Sequence, residues 1–417
     1  MNDARNDALS TWNTSSEKYT GEPGIAKHGR LRKPRAWPTV LGIIATSLVV
    51  VLVSGAAVGA VVVNSLTSQI APTVELTQPT EGPIPAIGAI DGGFNILIVG
   101  SDTRVGQDGI GGSEEDESAN LNDVNILMHV SQDQTNAVVI SFPRDMVVDI
   151  PECQAEDGSV KGFTVQPLNE ALTAGRLNCV ALTITHLTGL PVQFAGTIDF
   201  TGVIAMGDAI GGVPVCVDGP IHDDNTGLMI DQAGTYTLLG VDALAFLRTR
   251  EHVGDGSDLT RISSQQVYLS SLVRTLKSGG TLGDLTKVYN LAKAALQSMQ
   301  LSSSLASVDT MASIALALKD IPIENVTFVQ YPGFTDGDGD YAGKVQPNRE
   351  LGDQLVAFVA ADQPFLPDPS VAHGTVADPN APVATTPPAS DPAGRPTLVG
   401  LPGVTANEYR CSVANDY

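Results

Sequence analysis

Hydrophobic positions fall into three kinds of run along the 417 residues. Residues 39–63 (TVLGIIATSLVVVLVSGAAVGAVVV) carry no charge over twenty-five positions, and a bilayer span needs roughly twenty. Small residues such as Ala56, Ala57 and Ala60 leave a cleaved signal peptide as the alternative, but its apolar region is usually only about 7–15 residues. Next come continuous apolar runs of strand length at FNILIVG (94–100), VNILMHV (124–130) and NAVVISF (136–142), the pattern of buried strands. The turn SQDQT (131–135) between the last two is short enough for an antiparallel hairpin. Beyond them the period lengthens. Helices are predicted at LNEAL (168–172), ALTITHLTG (181–189), FTGVIAMGDAIGG (200–212), GVDALAFLRTR (240–250), 261–277, 284–300 and 303–318. Strands are predicted at FAGTIDF (194–200), VPVCV (213–217) and VTFVQY (326–331). The class is mixed α/β, a sheet covered by helices.

An antiparallel meander of the first three strands has a geometric consequence. The end of the first strand, the start of the second and the end of the third then share one sheet edge. Those points carry Asp102 and Arg104, Asp123, and Arg144 with Asp145. Ligands of sheet proteins gather at such edges, on the loops that leave the strands. Asp102 with Asp123 is a carboxylate pair of the kind that holds Mg²⁺ together with water and substrate phosphate.

Charge sharpens the picture. The net charge is −23, which argues against nucleic acid as a partner. After the apolar segment there are sixteen Lys and Arg against forty-two Asp and Glu, and a quarter of those bases lie in residues 242–276, as Arg248, Arg250, Arg261 and Arg274. Arginine presents a planar fork of donors that matches phosphate oxygens. Its clustering in an acidic domain points to a local anion site. Arg248 and Arg250 would diverge on a regular helix, so both reach one ligand only if the helix ends there, as Gly254 and Gly256 suggest. Asp258 or Thr260 can cap the following helix, on which Arg261 and Gln265 share a face.

The organisation follows from these features. Residues 1–38 form a basic tail, with Lys27, Arg30, Arg32, Lys33 and Arg35 just before the span at 39–63. Excess Lys and Arg keep that side cytoplasmic, so the rest is expected outside the plasma membrane as a single-pass protein. Residues 64–92 are expected as a stalk, 93–362 as the folded domain, and 363–417 as a Pro-rich tail. All four cysteines (Cys153, Cys179, Cys216, Cys411) fall on the exported side, where disulfides persist. Cys153 with Cys179 is the expected pair, and Cys216 with Cys411 follows by elimination. His129, His186 and His222 are scattered, while His252 adjoins the Arg pair.

Taken in order, GSDTR (100–104), ND (122–123), SFPRD (141–145), LNEAL (168–172), GGVPV (211–215) and ALAFLRTREHVGDGSDLTRISSQQ (243–266) resemble the LytR-CpsA-Psr family. The resemblance covers roughly residues 93–277. It implies an α-β-α fold with a central mixed sheet and helices on both faces. It also implies a Mg²⁺-dependent phosphotransferase that moves a glycopolymer from a polyprenyl-pyrophosphate carrier onto peptidoglycan, leaving a phosphodiester. By the same resemblance Asp102 and Asp123 would hold Mg²⁺. Asp102, Arg144, Arg248 and Arg250 would be catalytic. Arg144, Arg248, Arg250 and Arg261 would grip the pyrophosphate, supported by Asp258, Gln265 and Arg104. Two positions depart from the family pattern: Leu121 and Ser264 stand where arginines are usual. The same residues would equally serve a polyprenyl-pyrophosphate hydrolase or a non-catalytic lipid-pyrophosphate-binding protein of the cell envelope.

Overall fold

A computed structural model describes residues 36–67, 73–77, 92–103, 121–154, 158–278, 285–337, 339–371, 373–382 and 394–415. Residues 1–35 and Arg104 lie outside the described residues. The helices in chain order are α1 (Ala36–Thr67), α2 (Ala171–Thr188), α3 (Phe200–Ile210), α4 (Gly240–Arg248), α5 (Asp258–Lys277), α6 (Leu285–Ser298), α7 (Val308–Asp320) and α8 (Arg349–Ala360). In α1 the side chains from Val40 to Ser54 are exposed throughout. Among the described residues no helix is long and apolar enough to cross a membrane, so the anchor expected at 39–63 rests on the sequence run.

The first three apolar runs form the expected meander: β1 (Phe94–Ser101), β2 (Asn122–Val130) and β3 (Ala137–Phe142). Phe94 pairs with Val130 and Gly100 with Val124; Val130 pairs with Ala137 and Asn125 with Phe142. Four further strands complete the sheet: β4 (Phe194–Ile198), β5 (Met299–Leu301), β6 (Val326–Gln330) and β7 (Gly403–Thr405). The order is β5-β4-β1-β2-β3-β6-β7, with β4 parallel to β1 and β6 parallel to β3. It is a mixed sheet.

The strands read as unbroken apolar runs because both faces are covered. Leu97 and Val99 of β1 point into one core with Val138 and Ile140, against Leu177 and Val180 of α2 and Leu355 of α8. Phe94 and Ile96 point into the other with Val139, against Leu296 of α6 and Ile314 of α7. A third core joins α4 and α5 to a small sheet through Val215, Phe246, Val267 and Tyr268.

The C-terminal boundary differs from expectation. Within 363–417, expected as a tail, the segments 375–377, 403–405 and 410–412 are paired strands. Gly403–Thr405 closes the central sheet as β7, and Arg410–Ser412 pairs with Val213–Val217 and Thr375–Ala377 in the small sheet. Prolines there limit strand length and favour edges rather than forbid pairing, and partners remote in sequence are invisible to a composition argument. The expected stalk is also partly docked, since the Val74 N–H donates to the Leu301 carbonyl at 3.0 Å.

Both expected disulfides form, Cys153–Cys179 and Cys216–Cys411. The second joins residues 195 apart in sequence and ties the last strand to the small sheet. Replacing both of its cysteines by alanine is expected to lower stability by about 2–4 kcal/mol and to open residues 394–415 to protease. Urea unfolding and timed digestion read the two effects separately.

Candidate active site

The site depends on where α4 stops. Arg248 is its last residue, and Thr249 (φ −57°, ψ 129°) already leaves the helix. Arg250 therefore swings back beside Arg248, and both line one cavity. The turn that follows is tight. Gly254 has φ +56°, and a Cβ there would lie 2.5 Å from the Thr260 Cβ. Ser257 caps α5, its Oγ accepting the Thr260 N–H at 3.3 Å, where the sequence pointed to Asp258 or Thr260. Asp258 becomes the first residue of α5 and its carboxylate turns to the arginines.

A network of ion pairs joins the strand edge to α5. Arg144 Nη1 donates to Asp123 Oδ1 at 2.8 Å, and the Arg144 N–H donates to Asp258 Oδ2 at 3.3 Å. Arg261 Nη2 lies 2.6 Å from Asp258 Oδ1 and donates to the Asp123 carbonyl at 3.0 Å. Gln265 Nε2 donates to the Leu247 carbonyl at 2.9 Å, bracing the end of α4. Arg248 stacks over the Phe200 ring, 4.5 Å from its centroid. Arg250 is the most open, 3.5 Å from Glu251 with 37% of its side chain exposed.

Burial pulls the Arg261 guanidinium below its usual range, Asp258 opposing. For Arg144 burial pulls the same way, but Asp123 and Asp258 together outweigh it and the group is raised. Both stay cationic, as arginine does in any protein. Four guanidiniums thus share the site with three carboxylates, Asp123 and Asp199 of the lining and Asp258 beside it. Arg144 Nε lies 3.5 Å from Asp258 Oδ1, while the buried Nε of Arg261 has no hydrogen-bond acceptor, a leftover donor that suits an anion.

Most of the remaining wall is apolar, with Ser101, Asp199, Asn225 and Thr226 as its polar members. The cavity holds about 390 Å³, and Ile98, Ile126, Phe200, Val203, Leu247 and Leu269 line it together with Asp123, Arg144, Arg248, Arg250, Arg261 and Gln265. This apolar half was not legible in the sequence. Its residues come from β1, β2, β4, α3, α4 and α5, and nothing in their spacing distinguishes a cavity wall from core.

Other expected residues fall outside the cavity. Asp258 lies beside it, buried, as the link between Arg144 and Arg261. Asp102 adjoins it: its N–H donates to the Leu121 carbonyl at 3.1 Å and its Oδ1 accepts the Leu121 N–H at 2.8 Å. Arg274, in the same Arg-rich stretch, goes elsewhere, donating to the Ala406 and Glu408 carbonyls at 2.8 Å and stacking on Tyr409. Helix α5 is too long for both of its ends to reach one site. His129, His222 and His252 do not line the cavity; His129 is a core residue held between Asn95 and Asp362.

Asp102 directly follows β1, and Asp123 is the β2 residue left without a partner by the register shift at Gly100/Ser101. Among the described residues no third carboxylate, His or Cys ligand groups with them. A pair of carboxylates beside an anion site fits a hard cation such as Mg²⁺, which binds one or two carboxylates and fills its shell with water and phosphate oxygens.

The model of the LytR_cpsA_psr family matches residues 61–351. The chain belongs to the LytR-CpsA-Psr family. It is 31% identical over 283 residues to the cell wall biosynthesis protein LcpA of Corynebacterium glutamicum, an alignment covering 62% of this chain and 53% of LcpA. The chain thus spans about half the length of that relative. It is 24% identical over 305 residues to TagT of Bacillus subtilis, a polyisoprenyl-teichoic acid–peptidoglycan teichoic acid transferase, covering 72% of this chain and 88% of TagT. The fold also matches the solved LytR-Csp2A-Psr enzyme from Actinomyces oris, with a TM-score of 0.52 and 23% identity over 70% of this chain and 96% of that one. Family membership and mixed α/β class both agree with the sequence reading.

Proposed function

We propose that this family member is an extracellular phosphotransferase, anchored in the plasma membrane by residues 39–63, that moves a glycopolymer from a polyprenyl-pyrophosphate carrier onto peptidoglycan. One observation carries the reading: a single cavity combines an apolar wall with a cluster of four arginines. A polyprenyl pyrophosphate has that composition, a hydrocarbon chain joined to a doubly charged head. The name of TagT, a transferase acting between a polyisoprenyl-linked polymer and peptidoglycan, supports the same assignment.

In the reaction an acceptor hydroxyl oxygen forms a bond to the phosphorus attached to the glycan. The bond from that phosphorus to the bridging oxygen breaks, polyprenyl phosphate departs, and the hydroxyl proton is lost to a base. Such transfers need positioning and neutralisation of charge more than covalent help. Arg144, Arg248 and Arg250 would meet the oxygens of the transferring and leaving phosphates. Arg261 and Asp258 hold Arg144 in place, and Gln265 fixes the end of α4. Asp102 and Asp123 would hold Mg²⁺, which when bound neutralises phosphate charge. Asp102 also stands near enough to the strand edge to be the first candidate for the base.

The test is a transfer assay with the intact protein in detergent, a short polyprenyl-pyrophosphoryl glycan, a peptidoglycan fragment and Mg²⁺. A glycan–phosphate–peptidoglycan adduct is expected, absent in Asp123→Asn and restored by no other divalent cation as well as by Mg²⁺. Free phosphorylated glycan without adduct would identify a hydrolase. Lipid bound without any product would leave a binding protein.

A further inference from the structure

A second cleft adjoins the arginine cavity and differs from it in chemistry. It holds about 370 Å³ and is lined by Ser101, Thr103, Arg176, Thr197, Asp199 and Gln300, among others. Ser101 and Asp199 line both spaces, so the two meet beside Asp102. Where the first joins hydrocarbon to four guanidiniums, the second sets hydroxyls, amides, one carboxylate and one guanidinium beside Leu172 and Met299. Among the described residues that line it, Arg176 is the one cation.

Arg176 reaches this position through an unusual backbone. It stands inside α2 with φ +60° and ψ −160°, and Gly175 before it is non-helical as well. That region of conformational space belongs almost entirely to glycine, and residues held there concentrate at functional sites. The cause is visible next door. A Cβ on Gly175 would lie 2.7 Å from the Cys153 Cβ and 2.9 Å from the Cys179 Cβ, which are the two ends of a disulfide. The disulfide packs onto Gly175 and clamps the kink, and the kink turns Arg176 into the lining of the cleft. A chain with forty-six acids and twenty-three bases has placed a guanidinium in a conformation that a glycine would adopt more easily.

We infer that this cleft is the acceptor subsite and that Arg176 binds a carboxylate-bearing glycan there, holding its hydroxyl toward the phosphate in the arginine cavity. The inference rests on the phosphotransferase reading for its purpose but not for its test. The hydroxyl and amide lining suits a sugar with acetamido groups. The guanidinium suits a carboxylate on that sugar or on a peptide attached to it. Two ligands bound on either side of Ser101 and Asp199 would bring donor and acceptor together without sharing a pocket.

Arg176→Gly tests the assignment cleanly, because glycine takes this backbone without strain while the guanidinium is lost. The intact protein in detergent is titrated calorimetrically with a soluble disaccharide–peptide fragment of peptidoglycan and, separately, with inorganic pyrophosphate. The expected result is a Tm no lower than wild type, at least tenfold weaker binding of the fragment, and unchanged binding of pyrophosphate. Arg250→Ala should show the reverse. Arg176→Lys, which keeps the charge but not the fork, should recover part of the fragment affinity. Equal fragment affinity in wild type and Arg176→Gly would overturn the inference, as would a wild type that does not bind the fragment. Fragment binding that depends on Arg176 in a protein that makes no adduct would instead refute the transfer reaction and leave the binding site standing.

Discussion

Arg261→Met is expected to destabilise the protein by about 3–5 kcal/mol and to abolish transfer. Arg261 is only 6% exposed, and its partner Asp258 only 8%. Taking the guanidinium away leaves a carboxylate buried beside Arg144 alone, with Asp258 Oδ1 3.5 Å from Arg144 Nε and Asp258 Oδ2 3.3 Å from the Arg144 N–H. The Asp123 carbonyl also loses its donor. A second variant separates stability from function. Arg261→Met combined with Asp258→Leu removes both charges and fills the space with hydrocarbon, and such replacements are often neutral or stabilising. The double variant should therefore unfold in urea close to wild type while remaining inactive. If the double variant regains activity with stability, the pair is a folding device and not part of the anion site.

Arg250→Ala should lower turnover of a polyprenyl-pyrophosphoryl glycan by about 10²–10³-fold, the range found when one preorganised donor to a developing charge is removed. Stability should hardly change. Arg250 lies beyond the end of α4 and is over a third exposed, and its 3.5 Å contact with Glu251 is a surface pair of the kind that contributes little. Lysine at this position should recover only part of the rate, because an ammonium cannot reproduce a two-pronged contact with phosphate. Steady-state rates at saturating acceptor, with Tm measured alongside, decide the matter. A variant that loses rate and Tm together would place Arg250 in the scaffold.

These two predictions divide the arginines in a way that the sequence could not. Arg248, Arg250, Arg261 and Arg274 read alike in the chain, as bases clustered in an acidic domain. In the fold Arg261 is a buried strut, Arg250 an open donor, Arg248 a cation stacked on Phe200, and Arg274 a tie between α5 and the turn at 406–409.

Much of the architecture was determined locally. The unbroken apolar runs at 94–100, 124–130 and 136–142 specify two-sided buried strands, and the five-residue turn makes the last two an antiparallel hairpin, which brings Asp123 and Arg144 to one edge. The stop of α4 was legible because Gly254 and Gly256 follow it. Only the tertiary structure decided what depends on contacts between distant segments. Residues 403–405 and 410–412 look like a Pro-rich tail by composition, yet each adds a strand to a sheet, because a three-residue strand takes its stability from a partner elsewhere in the chain. The apolar cavity wall is likewise assembled from six elements whose side chains individually look like core. The kink that turns Arg176 out of α2 comes from a disulfide packed against Gly175, a constraint that hydrophobic periodicity does not carry.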